Sequence, residues 1–455
     1  MLKLTLEEII EAVTGQVIYK GNEIPSIKKV SIDTRTIEDN SLFIAIKGER
    51  FNGNLFAEEA SKKGAVISIL EEVPNYSLCN YNTTVILVQN TKVALQALAA
   101  FYRNKLGVKV IGVTGSTGKT STKDIIAAVL STDFKVYKTL GNYNNDIGLP
   151  LSILAIEEGT EICVLEMGMN HLKEIHLLAE IARPDIAVIT NIGISHIENL
   201  RTQDNIFKAK MEITDFFNKD SILIVNGDDD YLRKIVNMPY KVVKAGLEEG
   251  NDLRALNVIS LDESMKFSLE VNNHKKEMYL PLLGVHNVKN TMLALVLGRE
   301  LGISFENMEL GLENLQKTSM RLEVMKKDKI TVINDCYNAS PTSMESAFQV
   351  QLSLKGKRRV AILGYMAELG AYEKKAHIDT AAKAKALGID MILTLENCGE
   401  YYKEGFGENT IITSSMEELI SKALSILKPE DVILIKASRR ENFEKITNAI
   451  IDSLN

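Results

Sequence analysis

Between Val108 and Asp124 the chain reads VKVIGVTGSTGKTSTKD. Gly115-Ser116-Thr117-Gly118-Lys119-Thr120 is the part of it that could do chemistry. Two glycines let the backbone curl until successive N–H groups point at one anion, at the positive end of the helix that follows. Lys119 can then reach the outer oxygens of a phosphate chain, and the Thr120 hydroxyl can hold Mg2+. The general nucleotide loop has a glycine where Val113 stands here, so this loop is shorter. The competing reading is a plain strand-to-helix turn, against which the order strand, loop, helix counts.

Other polar residues sit where apolar runs end. Glu166 closes Ile162-Cys163-Val164-Leu165, placed either to bind a metal or to rest against a helix N-terminus. His196 follows Asn191 in Asn191-Ile192-Gly193-Ile194-Ser195-His196-Ile197-Glu198; alone it reads as a surface histidine. Lys208 and Lys210 lie on an otherwise apolar segment, where solvated lysines are usual. His286, Asn287 and Asn290 stand before an expected helix over 291–301, either as caps or as paired amides for an adenine edge. Thr34 and Arg35, in Ser31-Ile32-Asp33-Thr34-Arg35, form a polar turn that could hold a phosphate or a uracil-type ring, or simply be solvated. Asp335-Cys336-Tyr337-Asn338 and Gly364 to Gly370 follow two later strands.

The elements that must position these residues alternate between β and α. Expected strands over 29–32, 42–46, 65–70 and 84–88 precede a helix over 91–106; after the loop, strands over 135–138, 161–166, 186–190 and 221–225 alternate with helices over 121–130, 172–181 and 205–217. Such alternation implies a mostly parallel sheet covered on both faces, with ligands at the carboxyl ends of its strands. Polar and apolar residues alternate over 253–283, which suggests antiparallel hairpins. From Met320 a second βα series begins, with strands over 330–334, 359–363, 391–395 and 432–436. The fold class is therefore α/β in three units: an N-terminal domain (1–88), a central phosphate-loop domain with a small antiparallel addition (89–318) and a C-terminal Rossmann-like domain (319–455).

Composition narrows the function classes. The 455 residues are 45% hydrophobic and 25% charged with a net charge of −7, an ordinary globular balance that offers no basic face to nucleic acid. No apolar run is long enough to insert in a membrane. The four cysteines show no Cys-x-x-Cys spacing, so neither a disulfide framework nor a zinc site is indicated. Cytoplasm and a monomer are the default expectations.

Taken together, Gly115 to Thr120, Gly141 to Pro150, Glu166 to Asn170, Asn191 to Glu198, Ala209-Lys210, Gly284 to Asn290, Asp335 to Pro341 and Leu363 to Gly370 resemble the Mur ligase family over essentially the whole chain. The shortened phosphate loop is the form this family uses. The resemblance implies that the first domain holds UDP, the middle one ATP and the third the incoming amine. It implies an ATP-dependent amide ligase in peptidoglycan precursor synthesis: a UDP-muramoyl tripeptide carboxylate takes the γ-phosphoryl group, and D-alanyl-D-alanine attacks the acyl phosphate. By the same resemblance Lys119, Glu166, His196 and Lys210 are catalytic. Two Mg2+ ions are held by Thr120, Glu166, His196 and a carbamylated Lys210. His286, Asn287, Asn290, Arg321, Asp335 and Tyr337 join Gly115–Thr120 around ATP. Asn142, Asn144, Asn145 and Asn338 meet the peptide substrates, and Thr34 and Arg35 meet UDP. The chain departs from the family pattern at Phe51–Phe56, at Arg201-Thr202 and at Ala437. A diaminopimelate- or lysine-adding ligase, a divergent paralogue and a nucleotide-binding protein of little activity stay open as alternatives.

Overall fold

The computed structural model describes residues 4–21, 26–49, 51–73, 77, 82–271, 274–316 and 318–454. Three sheets organise them. In the first, Lys29–Ser31, Ser41–Ile44, Ala65–Leu70 and Thr84–Leu87 run parallel, and Gln16–Tyr19 pairs antiparallel at the edge. The second has nine strands in the order His274–Leu280, Met265–Val271, Leu253–Ser260, Lys241–Gly246, Ile222–Asn226, Ile186–Ile189, Lys109–Thr114, Ile162–Glu166, Val136–Lys138. Its first three strands form two antiparallel hairpins, as the alternating pattern implied, and the remaining pairings are parallel. The third runs Glu323–Lys327, Ile330–Asn334, Asp431–Lys436, Arg358–Leu363, Met391–Leu395, Thr410–Thr413, parallel except for its first strand.

The strands bearing the phosphate loop are buried on both faces, which is why they read as unbroken apolar runs. Val110, Ile111 and Val113 are fully buried, as are Cys163, Val164 and Leu165. One face is covered by the helix Lys119–Leu130 packed on the helix Val285–Glu300, whose Val288, Met292, Leu293 and Val296 are 0% exposed. Each such side chain contributes about 1.5–3 kcal/mol of burial, so the loop stands on a rigid base. Cys163, Cys336 and Cys398 are free and buried; Cys79 lies outside the described residues.

Several boundaries differ from the expectation. The helix expected at 291 begins at Val285, after Gly284 turns the chain at φ +95°. His286, Asn287 and Asn290 therefore lie within its first two turns and not ahead of it. The helix expected over 205–217 is Gln203–Met211 followed by a 3-10 turn at Glu212–Thr214. Glu212 is drawn off because its carboxylate accepts from the backbone of Lys173 and His176. That bond caps the helix Glu174–Ala182, which starts two residues later than expected. Strands Lys241–Gly246 and Thr410–Thr413 and helices Gly148–Leu154 and Glu396–Phe406 went unanticipated; the first three are short, and periodicity is weakest there.

Candidate active site

Strand register brings the chemistry together. Val113 pairs with Glu166 and Thr114 with Ile189, so the segments after three neighbouring strands meet at one carboxyl edge. Gly115 passes so close to the next strand that a Cβ would stand 1.8 Å from Thr190 Oγ1. Thr190 Oγ1 donates to the Thr117 carbonyl at 2.5 Å, and the Thr117 N–H donates to Asn191 Oδ1 at 3.0 Å. The loop is thus pinned before any ligand arrives.

Within it, Lys119 Nζ donates to the Gly115 carbonyl at 2.8 Å. Burial pushes the Lys119 ammonium below its ordinary pKa, the Glu166 charge works the other way, and Arg321 adds to the lowering. A desolvated cation of this kind attracts phosphate oxygens strongly. Glu166, 3% exposed, accepts from Thr120 Oγ1 and from Asn144 Nδ2, each at 2.8 Å. Thr120 Oγ1 in turn accepts from Arg321 Nη2 at 2.9 Å. Thr120, Asn144, Glu166 and Arg321, four residues from distant parts of the chain, form one connected polar cluster.

The cluster lies in a cavity of about 690 Å³. Its walls include Ser116–Ser121, Asn144, Asn145, Glu166, Asn191, His196, His286, Asn287 and Asn290 from the central sheet side, and Arg321, Asp335, Tyr337, Asn338, Ser340, Ser343, Ser346 and Lys436 from the C-terminal side. Arg321 lays its guanidinium 4.0 Å over the Tyr337 ring. His196 Nδ1 stands 2.6 Å from Glu368 Oε2, joining the two halves. His286 is held neutral, its pKa lowered to about 4 by burial and by the charge of Lys436. Asn287 Nδ2 donates to the Leu283 carbonyl at 2.8 Å, which spends one of its protons inside the protein.

Other expected residues are not in the cavity wall. Gly115 lies just behind it. Lys210 is 1% exposed on its helix, and burial, with the nearby Lys119 charge, lowers its pKa strongly. Among the described residues its ammonium has no ion pair or hydrogen bond. Asn142 is exposed on the approach to Asn144. Thr34 is buried in a 3-10 turn of the first sheet, whereas Arg35 is exposed and forks onto Asp33 at 2.6 Å. That pairing holds the Asp33 carboxyl down at about 2.

Lys436 and Glu368 were not anticipated as site residues. Lys436 Nζ donates to Asp335 Oδ2 at 2.5 Å and to the Asn338 carbonyl at 2.8 Å, and is 2% exposed. Its signal was available, because it closes the apolar run Val432-Ile433-Leu434-Ile435 as Glu166 closes its own. Glu368 lies in the segment 364–370 that follows the strand ending at Leu363, a segment singled out above without this residue being named for the site.

Among the described residues no three His, Cys, Asp or Glu side chains converge as a metal cluster. The hard oxygen donors at the loop are the Glu166 carboxylate and the Thr120 hydroxyl. That set suits Mg2+, which usually takes one or two protein oxygens and completes its shell with phosphates and water.

Known proteins match this arrangement along the whole chain. Residues 26–103 match the Mur ligase family catalytic domain, 113–298 the Mur ligase middle domain and 320–439 the Mur ligase glutamate ligase domain. The UDP-N-acetylmuramoyl-tripeptide--D-alanyl-D-alanine ligase of Bacillus subtilis is 41% identical, covering 100% of this chain and 99% of its own; that of Escherichia coli is 31% identical over 99% of each. A crystal structure of MurF from Acinetobacter baumannii superposes with a TM-score of 0.91 at 30% identity over 98% of both chains. MurF from Thermotoga maritima in complex with ADP gives 0.84 at 29% identity, over 94% of this chain and 98% of its own. With three family domains matched in order along its length and a relative 41% identical over the whole chain, this chain belongs to the Mur ligase family.

Proposed function

We propose that this protein is the ATP-dependent ligase that joins D-alanyl-D-alanine to UDP-N-acetylmuramoyl tripeptide. The observation that carries the reading is the single cavity walled by a phosphate loop on one side and by the Asn338–Ser346 segment on the other, in a chain 41% identical along its length to a ligase of that name. Residues 1–88 hold the UDP moiety through Thr34 and Arg35, 89–318 hold ATP, and 319–455 bring the dipeptide. No helix of the described residues is long and apolar enough to cross a membrane. In this reading the chain works as a monomer in the cytoplasm, where its soluble substrates are.

In this reading Gly115–Thr120 wrap the phosphates, and Lys119 offsets the charge that accumulates as an acceptor carboxylate oxygen attacks the γ-phosphorus and ADP departs. His286, Asn287 and Asn290 line the base end, and Asp335 and Arg321 the ribose and phosphate side. Asn144, Asn145 and Asn338 orient the acceptor peptide and the dipeptide, whose amine then attacks the acyl carbon with phosphate as leaving group. Enclosure between the two sheets keeps water from the acyl phosphate.

Thr120 and Glu166 would hold one Mg2+, and His196 and Lys210 would serve a second. Bound there, the ions would neutralise phosphate charge. Lys210 suits carbamylation because its amine, buried and unpaired, favours the neutral nucleophilic form; attack on CO2 gives a carbamate and releases one proton. The test is phosphate release with Mg-ATP, UDP-muramoyl tripeptide and D-alanyl-D-alanine, omitting each in turn. Release that needs all three is expected; release without the dipeptide, or none at all, would overturn the assignment.

A further inference from the structure

Arg321 reaches the phosphate loop from a turn whose backbone is itself unusual. The residues on either side of it, Met320 and Leu322, are both left-handed, at φ +57° and +51°. For non-glycine residues such geometry costs of order 1 kcal/mol or more each and persists only where surroundings over-determine it. The surroundings here do so. The Met320 N–H donates to Glu323 Oε2 at 3.1 Å, the Leu322 N–H to Asp335 Oδ1 at 3.2 Å, and the Tyr337 N–H to the Met320 carbonyl at 3.3 Å.

All three bonds tie the turn to the C-terminal sheet. The tie to the central sheet is Thr318, whose Oγ1 donates to Asp124 Oδ2 at 2.7 Å. Asp124, 7% exposed, lies one helical turn beyond Thr120 on the helix that starts at the phosphate loop. Lys138 Nζ holds its other oxygen at 2.8 Å, and Lys123 stands at 3.4 Å. The segment 318–321 therefore runs along this helix with Thr318 on Asp124 and Arg321 on Thr120. Arg321 Nε is buried and has no hydrogen-bond partner among the described residues, and the guanidinium is held between Thr120 Oγ1 and the Tyr337 ring.

We propose that Asp124 and Thr318 are positioning residues for nucleotide binding: their hydrogen bond, outside the cavity, registers the strained turn on the phosphate-loop helix and so aims Arg321 at the phosphates. The proposal rests on the reading that Arg321 meets the nucleotide. Neither Asp124 nor Thr318 touches the ligand space itself.

The experiment measures ADP affinity by titration calorimetry on the full chain with Thr318→Val, Thr318→Ser, Arg321→Ala and the double variant Thr318→Val/Arg321→Ala. Thr318→Val is expected to weaken ADP about fivefold, the worth of one hydrogen bond, with Thr318→Ser within about twofold of the parent. In the double variant the valine should add nothing to the loss from Arg321→Ala, because the threonine acts through the arginine. An unchanged affinity in Thr318→Val beside a weakened Arg321→Ala would overturn the positioning role, as would equal losses in the valine and serine variants or additive losses in the double one. If Arg321→Ala itself binds ADP as the parent does, the underlying reading of Arg321 fails instead.

Discussion

Glu368, from the loop after the strand Arg358–Leu363, sets Oε2 2.6 Å from Nδ1 of His196 in the central half. The Glu368 carbonyl also accepts from the Glu198 N–H at 3.3 Å, and Gly370 comes so close that a Cβ would meet Glu198 Cγ at 3.0 Å. The histidine beside it holds the Glu368 carboxyl below its usual range against the effect of burial. The contact ties the His196 ring, which lies in the cavity wall, to the C-terminal half. Glu368→Gln should slow turnover about tenfold, the usual cost of losing an orienting partner, while ADP affinity stays within twofold. Comparing steady-state rates with calorimetric affinity checks this, and equal losses in both would refute it.

Lys119 is the one cation of the phosphate loop. Lys119→Ala should lower ATP-dependent phosphate release by roughly a hundredfold or more, on the scale of removing a charge-stabilising donor. The melting temperature of the ligand-free chain should hold or rise slightly, because a desolvated ammonium has been removed. A variant that keeps a tenth of the parent rate would contradict the role.

Gly115→Ala should be a folding defect before it is a binding defect. The added methyl would overlap Thr190 Oγ1 at 1.8 Å, and neither the pinned loop nor the buried strand can retreat. A loss of about 3 kcal/mol is expected, read as a lower urea midpoint at unchanged slope.

His286 gives the protein a pH dependence with a defined sign. Its pKa falls from an ordinary 6.5 to about 4 on folding, by burial and then the Lys436 charge. Between those values the unfolded chain binds the proton and the folded one does not, so stability rises with pH across that window and is lost as pH falls through it. Equilibrium unfolding from pH 4 to 7 should show a shallower slope in His286→Gln than in the parent; parallel curves would contradict the neutral, buried imidazole.

The βα alternation, the phosphate loop and the polar ends of apolar strands were all legible in the sequence, because each is a local pattern: a period of side-chain polarity, two glycines before a lysine, a charge after a buried run. These patterns determined three sheets, the position of Lys119 and Glu166, and the hairpins over 253–283. They could not place the start of the helix at Val285, since His286, Asn287 and Asn290 read as caps or as paired amides ahead of a helix over 291–301. Only the tertiary structure decided which residues meet. Arg321 and Thr120 are 201 residues apart, Thr318 and Asp124 194, and Lys436 and Asp335 101. None of these pairs has a spacing that a helix or strand would reveal. Their contact depends on how the third sheet docks against the second, a matter of shape and buried surface spread over many side chains, and that is why the sequence named Arg321, Asp335, Tyr337 and Asn338 but only the fold gave their partners and added Lys436 to the wall.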